Sequence, residues 1–319
     1  MKKFTILLFF VTIFVACEKK DKVQEKIDQI PLKLKVERFD KLFYETNPEE
    51  LSVLKEKYPY FFPDGNDDVV WTDKMKDPLL KELHAEVQKQ FGDFSVETNE
   101  LEELFRRIKF YFPQTNVPKV ITLISEVDTQ AKVIYADSLL LVSLDTYLGK
   151  DHRFYVDFPN YQKINFEKAQ LLPDVVSDFS MRVIPPPTDR TLLSQMIYFG
   201  KELYLKDLLL PKLSDDVKIA YTPEQIEWCK DNEGYVWRYF VDEKLLYDSD
   251  SKLPGRFINP APFSKFGLEI DNESPGRIGM WVGWQIVRAY MQNNDVSLQQ
   301  LLQADAKEIF DNSKYKPKK

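Results

Sequence analysis

Three short apolar runs, KVITLIS, AKVIYAD and SLLLVSL, crowd between Val117 and Leu148 with turn-forming residues between them. Aliphatic and β-branched runs of that length specify strands. Elsewhere only KLKVERFD alternates as a strand does, leading into a helix around Phe39–Tyr44. The rest of the chain is punctuated by helix starts. Asn47-Pro48-Glu49-Glu50 and Asp77-Pro78 each set a capping residue before a first-turn proline, and Gly92 closes the helix that Asp77 opens. Asn99-Glu-Leu-Glu102 reads as a further cap, and Thr222-Pro223-Glu224-Gln225 as a capping box. A chain with so few strands, all but one in a single block, builds one small sheet covered by helices. The expected class is α+β, predominantly helical, and the short spacers predict a meander.

The first residues are a different kind of segment. Lys2 and Lys3 precede an uncharged stretch from Phe4 to Ala16, too short to span a bilayer, which needs roughly 20 apolar residues. It ends at Phe14-Val15-Ala16-Cys17, small or aliphatic residues directly before a cysteine, as at a bacterial lipoprotein processing site. Residues 1–16 are therefore expected to be a signal peptide and Cys17 the lipidated N-terminus; the alternative is ordinary secretion with Cys17 left as a thiol. Residues 17–30 form a solvated tether, with room for a short helix. Residues 31–319 form one domain, with a mainly helical lobe at 31–115 and a second lobe at 116–319.

The net charge is −7, and loss of Lys2 and Lys3 makes the mature chain more acidic still. That excludes a nucleic-acid partner and broad adhesion to anionic lipid, so membrane contact falls to the acyl chains on Cys17. With Cys17 lipidated, Cys229 has no cysteine to pair with. It has no neighbouring histidine either, and reads as a buried, inert thiol.

The stretch LSQMIYFG, Leu193 to Gly200, lies in a helix after RVIPPPTDR, whose three prolines end the sheet region and whose Thr188 or Asp189 is the expected cap. Ser194 and Tyr198 share a face four residues apart, with Gln195 beside Ser194, the spacing of a His-Glu-x-x-His zinc helix. The side chains are wrong for that chemistry. Serine is too short to replace an imidazole, an amide takes no proton near neutral pH, and tyrosine is a poor lone ligand. The expectation is that Ser194, Gln195 and Tyr198 hydrogen-bond one another in a neutral polar network. His84 and His152 lie far apart in charged surroundings and read as solvated or locally bonded.

Downstream come Asn232-Glu233-Gly234-Tyr235, VWRYF, FSKFG, SPGRIGMWVGWQIVRAYMQ and KEIFDNSKY. This order resembles a family of predicted zinc-dependent peptidases. Position by position, Ser194 and Tyr198 stand where that family has histidines, Gln195 at its glutamate and Glu233 at its downstream acid, so the resemblance implies that Glu233 joins the polar network of Ser194, Gln195 and Tyr198. The resemblance implies a zincin-like scaffold with a degenerate metal site, without metal, cofactor or catalytic residue. A closer likeness covers nearly the whole chain. The lipidation site, VERFDKLFYE, KYPYFFPDG, MIYFGKELYLKDLLLP and GRIGMWVGWQIVRAYM resemble the gliding-motility lipoprotein GldB family of Bacteroidota. That implies a non-enzymatic lipoprotein whose partners are other gliding or type IX secretion proteins, with no small-molecule substrate. The alternatives are a periplasmic module binding peptide or protein in the vacated cleft, and an active hydrolase with an unusual site. Glu18-Lys-Lys-Asp-Lys22 lacks the acidic cluster typical of surface-exported lipoproteins. The expected place is the outer membrane facing the periplasm, with the inner membrane as the alternative.

Gly276, Gly279 and Gly283 fall within eight residues. Glycine costs about 1 kcal/mol against alanine inside a helix. Either a helix here crosses another at close range, with Gly283 near Gly200, or a loop at Pro275–Gly279 precedes a later helix start. On the crossing alternative, leucine at 283 is expected to cost about 1–3 kcal/mol and alanine less.

Overall fold

The computed structural model describes residues 22–317; the hydrophobic segment and Cys17 lie outside the described residues. The charged tether contains one short helix, Lys22–Asp28, pinned by buried Ile27. Beyond it the chain is predominantly helical around one small sheet, as expected.

Strands β1 (Lys35–Arg38), β2 (Lys119–Leu123), β3 (Val133–Ala136) and β4 (Leu139–Ser143) lie in the order β1-β2-β4-β3. β1, β2 and β4 run parallel, and β3 is an antiparallel edge. The expected meander does not form. β3 and β4 do make a hairpin, through Asp137 in the left-handed region (φ 54°). β2, however, has Val120, Ile121 and Thr122 all buried and takes the interior of the sheet, with a partner on each side. β3 alternates buried Val133 and Tyr135 with exposed Ile134 and Ala136, a pattern that suits an edge. The β2–β3 connection is too long for a tight hairpin. It is held by the Asp145 carboxylate, which accepts from the Ser125 (3.0 Å) and Val127 (2.6 Å) amides.

Several helix ends fall where the capping chemistry puts them. Asp77 accepts from the Leu79 and Leu80 amides to open Pro78–Phe91, and Gly92 ends it at φ 51°. Thr222 and Gln225 form the reciprocal capping box of Pro223–Asp231. Three ends differ. Ser95–Tyr111 starts before Asn99, because Phe94 is fully buried in a left-handed turn and Asp93 accepts from the Ser95 amide. RVIPPPTDR closes a helix, Leu171–Val183, and not the sheet region. The C-terminal helix expected from Ser297 breaks into Leu298–Gln303 and Ala306–Ser313, because Asp305 caps a new start through the Glu308 amide.

The main core runs through both expected lobes, joining Leu101, Leu104 and Phe105 to Val120, Leu140 and Phe179. A satellite cluster of Phe39, Phe43, Tyr58, Phe62 and their neighbours packs under the opposite face of the sheet through Ile121.

At the centre of the main core two helices cross, Leu192–Leu209 and Ile278–Asn293. Both readings of the glycine segment are partly right. Pro275–Arg277 is a turn, the helix starts at Ile278, and Gly279 and Gly283 face the crossing. A Cβ added to Gly283 would stand 1.9 Å from the Met196 carbonyl oxygen, and one on Gly200 would meet the Gly283 backbone. The crossing is closer than expected, so even alanine at 283 has no room.

Candidate functional site

The Leu192–Leu209 helix is opened by Thr191, not by Thr188 or Asp189. Thr191 Oγ1 accepts from the Ser194 amide at 3.2 Å. Asp189 contributes one step back, accepting from the Thr191 amide (2.8 Å) and hydroxyl (2.7 Å). Those bonds from Thr191 hold the Asp189 carboxyl below its ordinary range.

Each side chain of the expected polar network finds a local partner or none. Ser194 is buried with its Oγ 3.0 Å from Thr191 Oγ1, part of the cap. Gln195 turns back along the helix, and its Nε2 donates to the Arg190 carbonyl at 3.0 Å. Tyr198 packs edge-on against Phe199; burial raises its hydroxyl above the usual phenol range, and the Glu202 carboxylate adds to that. Glu233 opens the Glu233–Asp242 helix and accepts from the Tyr315 hydroxyl at 2.7 Å. No hydrogen bond links Glu233 to Ser194, Gln195 or Tyr198. The physical reason is that each meets a nearer partner: Ser194 meets Thr191 within the helix cap, Gln195 the Arg190 carbonyl, and Glu233 the Tyr315 hydroxyl of the C-terminal tail.

Ser194 and Tyr198 do share a cavity, as the four-residue spacing implies. It holds about 90 Å³ and is walled by Pro185–Pro187 and by residues 302–306. Neither Gln195 nor Glu233 lines it. Its floor is Lys201, which sequence reasoning missed. The buried Lys201 ammonium donates to the carbonyls of Leu302 (3.0 Å) and Ala304 (2.7 Å), satisfying the end of the Leu298–Gln303 helix. A lysine one turn after Ile197 on a buried stripe was the available signal. Burial lowers Lys201 to about 8, against the pull of Asp305 and Glu308.

That shift predicts a pH dependence. Between about pH 8 and the ordinary lysine value near 10.5, the unfolded chain holds a proton that the folded chain has released, so stability rises with pH. Relative to Lys201→Met, the unmodified protein should gain about 2 kcal/mol between pH 7 and pH 10, after allowance for partial solvent screening. Denaturant midpoints for both proteins across that range test it; a difference that does not change with pH would refute it.

Cys229 is fully buried, and burial, then Glu233, pushes its thiol far up. It is buried, as expected. His152 sits 3.4 Å from Glu86 and accepts from the Phe154 amide, while His84 stacks on Tyr44 and is lowered by burial. Among the described residues, no group of three or more His, Cys, Asp and Glu side chains is arranged to hold a metal ion.

A second charged assembly, also unread in the sequence, sits on the solvent side of the helix crossing. Arg288 reaches Asp207 and Asp215 with paired bonds, and Trp284 and Lys218 also donate to Asp207. All five side chains are engaged with one another, which makes this a clamp and not an open site.

Comparison with curated proteins finds no match, and comparison with solved structures finds none either. The family model described as gliding motility protein GldB matches residues 20–317. That match takes in the sheet, both crossing helices and the cavity floored by Lys201, and the chain therefore belongs to the GldB gliding-motility family.

Proposed function

We propose that the chain is a non-enzymatic lipoprotein, anchored through Cys17 to the outer membrane and facing the periplasm, that serves gliding motility as an accessory of the type IX secretion machinery. Family membership supplies the role in gliding motility. The narrower reading rests on one observation: the side chains at the expected metal-helix positions are engaged in holding the fold. Ser194 works in a helix cap, Gln195 bonds a backbone carbonyl, and Lys201 fills the floor of the space with an ammonium bound to carbonyls. The leader, with Phe4–Ala16 and Cys17, supports the anchor. No helix of the described residues is long and apolar enough to cross a membrane. The helix fits a remnant of a peptidase site, since Ser194 and Tyr198 still face one cavity. At about 90 Å³ that cavity is far below the 300–1,000 Å³ of typical ligand sites, which favours the accessory reading over a peptide-binding cleft there.

Chromosomal replacement alleles test this. Cys17→Ala should abolish colony spreading and secretion of exported proteins, whereas Gln195→Ala with Tyr198→Phe should leave both largely intact. Protein purified without chelator or affinity-column metal should carry no stoichiometric zinc. One equivalent of zinc, with loss of spreading in the double variant, would mean that the helix is a working metal site.

A further inference from the structure

The largest cavity among those described lies away from the Leu192–Leu209 helix. It holds about 500 Å³, inside the usual range for ligand sites, between the segments 150–165, 220–225 and 260–277. Its charge is unlike the rest of an acidic chain. Lys150, Lys163 and Arg277 line it, and among the described residues none has a carboxylate within ion-pair distance. Asp151 is the one acid in the lining; outside it Glu167 accepts from the Lys150 amide at 3.2 Å, and Glu224 feels the charge of Lys150. Three cations against one lining acid leave a local positive excess.

The floor of this cavity is built and rigid. Arg277 stands in the left-handed region (φ 62°), which a non-glycine residue keeps only when its surroundings enforce it. Its Nη2 donates to the carbonyls of Ile219 (2.8 Å) and Ala220 (3.0 Å), and its guanidinium lies 5.3 Å from the centre of the Tyr221 ring. The Tyr221 hydroxyl donates in turn to the Gly276 carbonyl. Gly276 itself leaves no room for a Cβ against the Ala261 carbonyl. Three chain segments are thus locked together, and among the described residues Arg277 Nη1 and Nε have no hydrogen-bond partner. The amides at the neighbouring helix starts are already used, with Ile278 bonded to Ser264 Oγ and Gln225 to Thr222 Oγ1, so the site depends on side chains.

We propose that this cavity binds a peptide segment through a carboxylate, with Arg277, Lys150 and Lys163 receiving the charge. The remaining lining fits a peptide. Among the described residues the side-chain amides of Asn160 and Asn165 have no partner and are able to donate to and accept from a peptide backbone, and Pro260, Ala261 and Ile164 offer small apolar walls. The inference does not rest on the anchor or on the peptidase resemblance, and its readout is binding, so it fails separately from the proposed function.

The test uses purified full-length protein, immobilised, and a library of N-acetyl tripeptides in two forms, free acids and C-terminal amides. Free acids should be retained at least tenfold over their amides. Arg277→Gln should abolish the difference, and Lys163→Gln should reduce it several-fold. The Lys163 ammonium has no partner among the described residues, so that variant tests the site even if Arg277→Gln misfolds. No retention, equal retention of acids and amides, or retention unchanged in Lys163→Gln would overturn the proposal. So would a preference for inorganic phosphate over every free acid in competition, which would assign the cavity to a phosphorylated ligand.

Discussion

Gly283→Ala should destabilise the protein by about 3 kcal/mol or more, although alanine is the better helix former. Alanine gains about 1 kcal/mol from propensity. Against that, its Cβ would sit 1.9 Å from the Met196 carbonyl oxygen, where real Cβ contacts stay beyond 3.0 Å. The obstacle is backbone, so no rotamer change relieves it. The Leu192–Leu209 and Ile278–Asn293 helices must move apart, uncovering Met196, Ile197, Trp284 and Val287, which the crossing now buries. Overpacking a well-filled core usually costs about 1–3 kcal/mol, and a backbone clash belongs at or beyond the top of that range. Gly255→Ala is the control. It lies in the short Leu253–Phe257 helix, where an added Cβ meets nothing within 4 Å, and it should be neutral or slightly stabilising. Denaturant midpoints for the three proteins decide the matter. If the two variants shift alike, the crossing is not what holds the core together.

That crossing was legible because glycine in a helix interior is costly and so points to a neighbour. The sheet was legible only in part. Composition marked KVITL, VIYA and LLLVS as strands, yet their order depends on which faces are covered, and coverage belongs to the packed helices. The even burial along β2 against the alternation along β3 records the difference, but only once the helices are in place. The capping box at Thr222 was readable because it is local, whereas the one at Ser297 appears only in the structure. The start at Phe94 was not, because a buried ring enforcing a left-handed turn is a tertiary effect. The same division applies to the candidate site. The four-residue spacing puts Ser194 and Tyr198 on one helix face, and in the structure both line one cavity. Gln195 bonds only five residues back, to Arg190, whereas Glu233 bonds Tyr315 of the C-terminal tail, which folding alone brings near. Neither Lys201 nor Arg288 stands out in the sequence, because charged residues on a helix usually face water, whereas Lys201 is buried and Arg288 is half-buried against Asp207 and Asp215.

Arg288→Met should cost about 2–4 kcal/mol, and the cost should shrink in acid. Arg288 Nε and Nη2 each lie 2.7 Å from the Asp207 carboxylate on the facing helix. Nη1 and Nη2 lie 2.8 Å from Asp215 on the short Asp215–Ile219 helix. The guanidinium also stacks 3.7 Å from the Trp284 ring centre, and Trp284 Nε1 donates to Asp207 at 2.9 Å. Methionine keeps much of the apolar contact but leaves two neighbouring carboxylates with Lys218 as their remaining cation. Removing one partner of a fully buried pair costs about 3–5 kcal/mol. This cluster is partly open to water, hence the lower range. Arg288→Lys should recover little, because one ammonium cannot serve two carboxylates in paired geometry. The acid dependence follows from Asp215, whose carboxyl is held below its ordinary range chiefly by the bond from Arg288. A depressed carboxyl adds stability above its unfolded value, near 3.8, and loses it as pH falls through the lower folded value. In Arg288→Met that contribution is already gone, so the gap between the two proteins should narrow below about pH 4. Urea titrations at pH 7 and pH 3 provide both readings. A penalty under about 1 kcal/mol at pH 7, or one that stays constant into acid, would reduce the clamp to an ordinary surface pair.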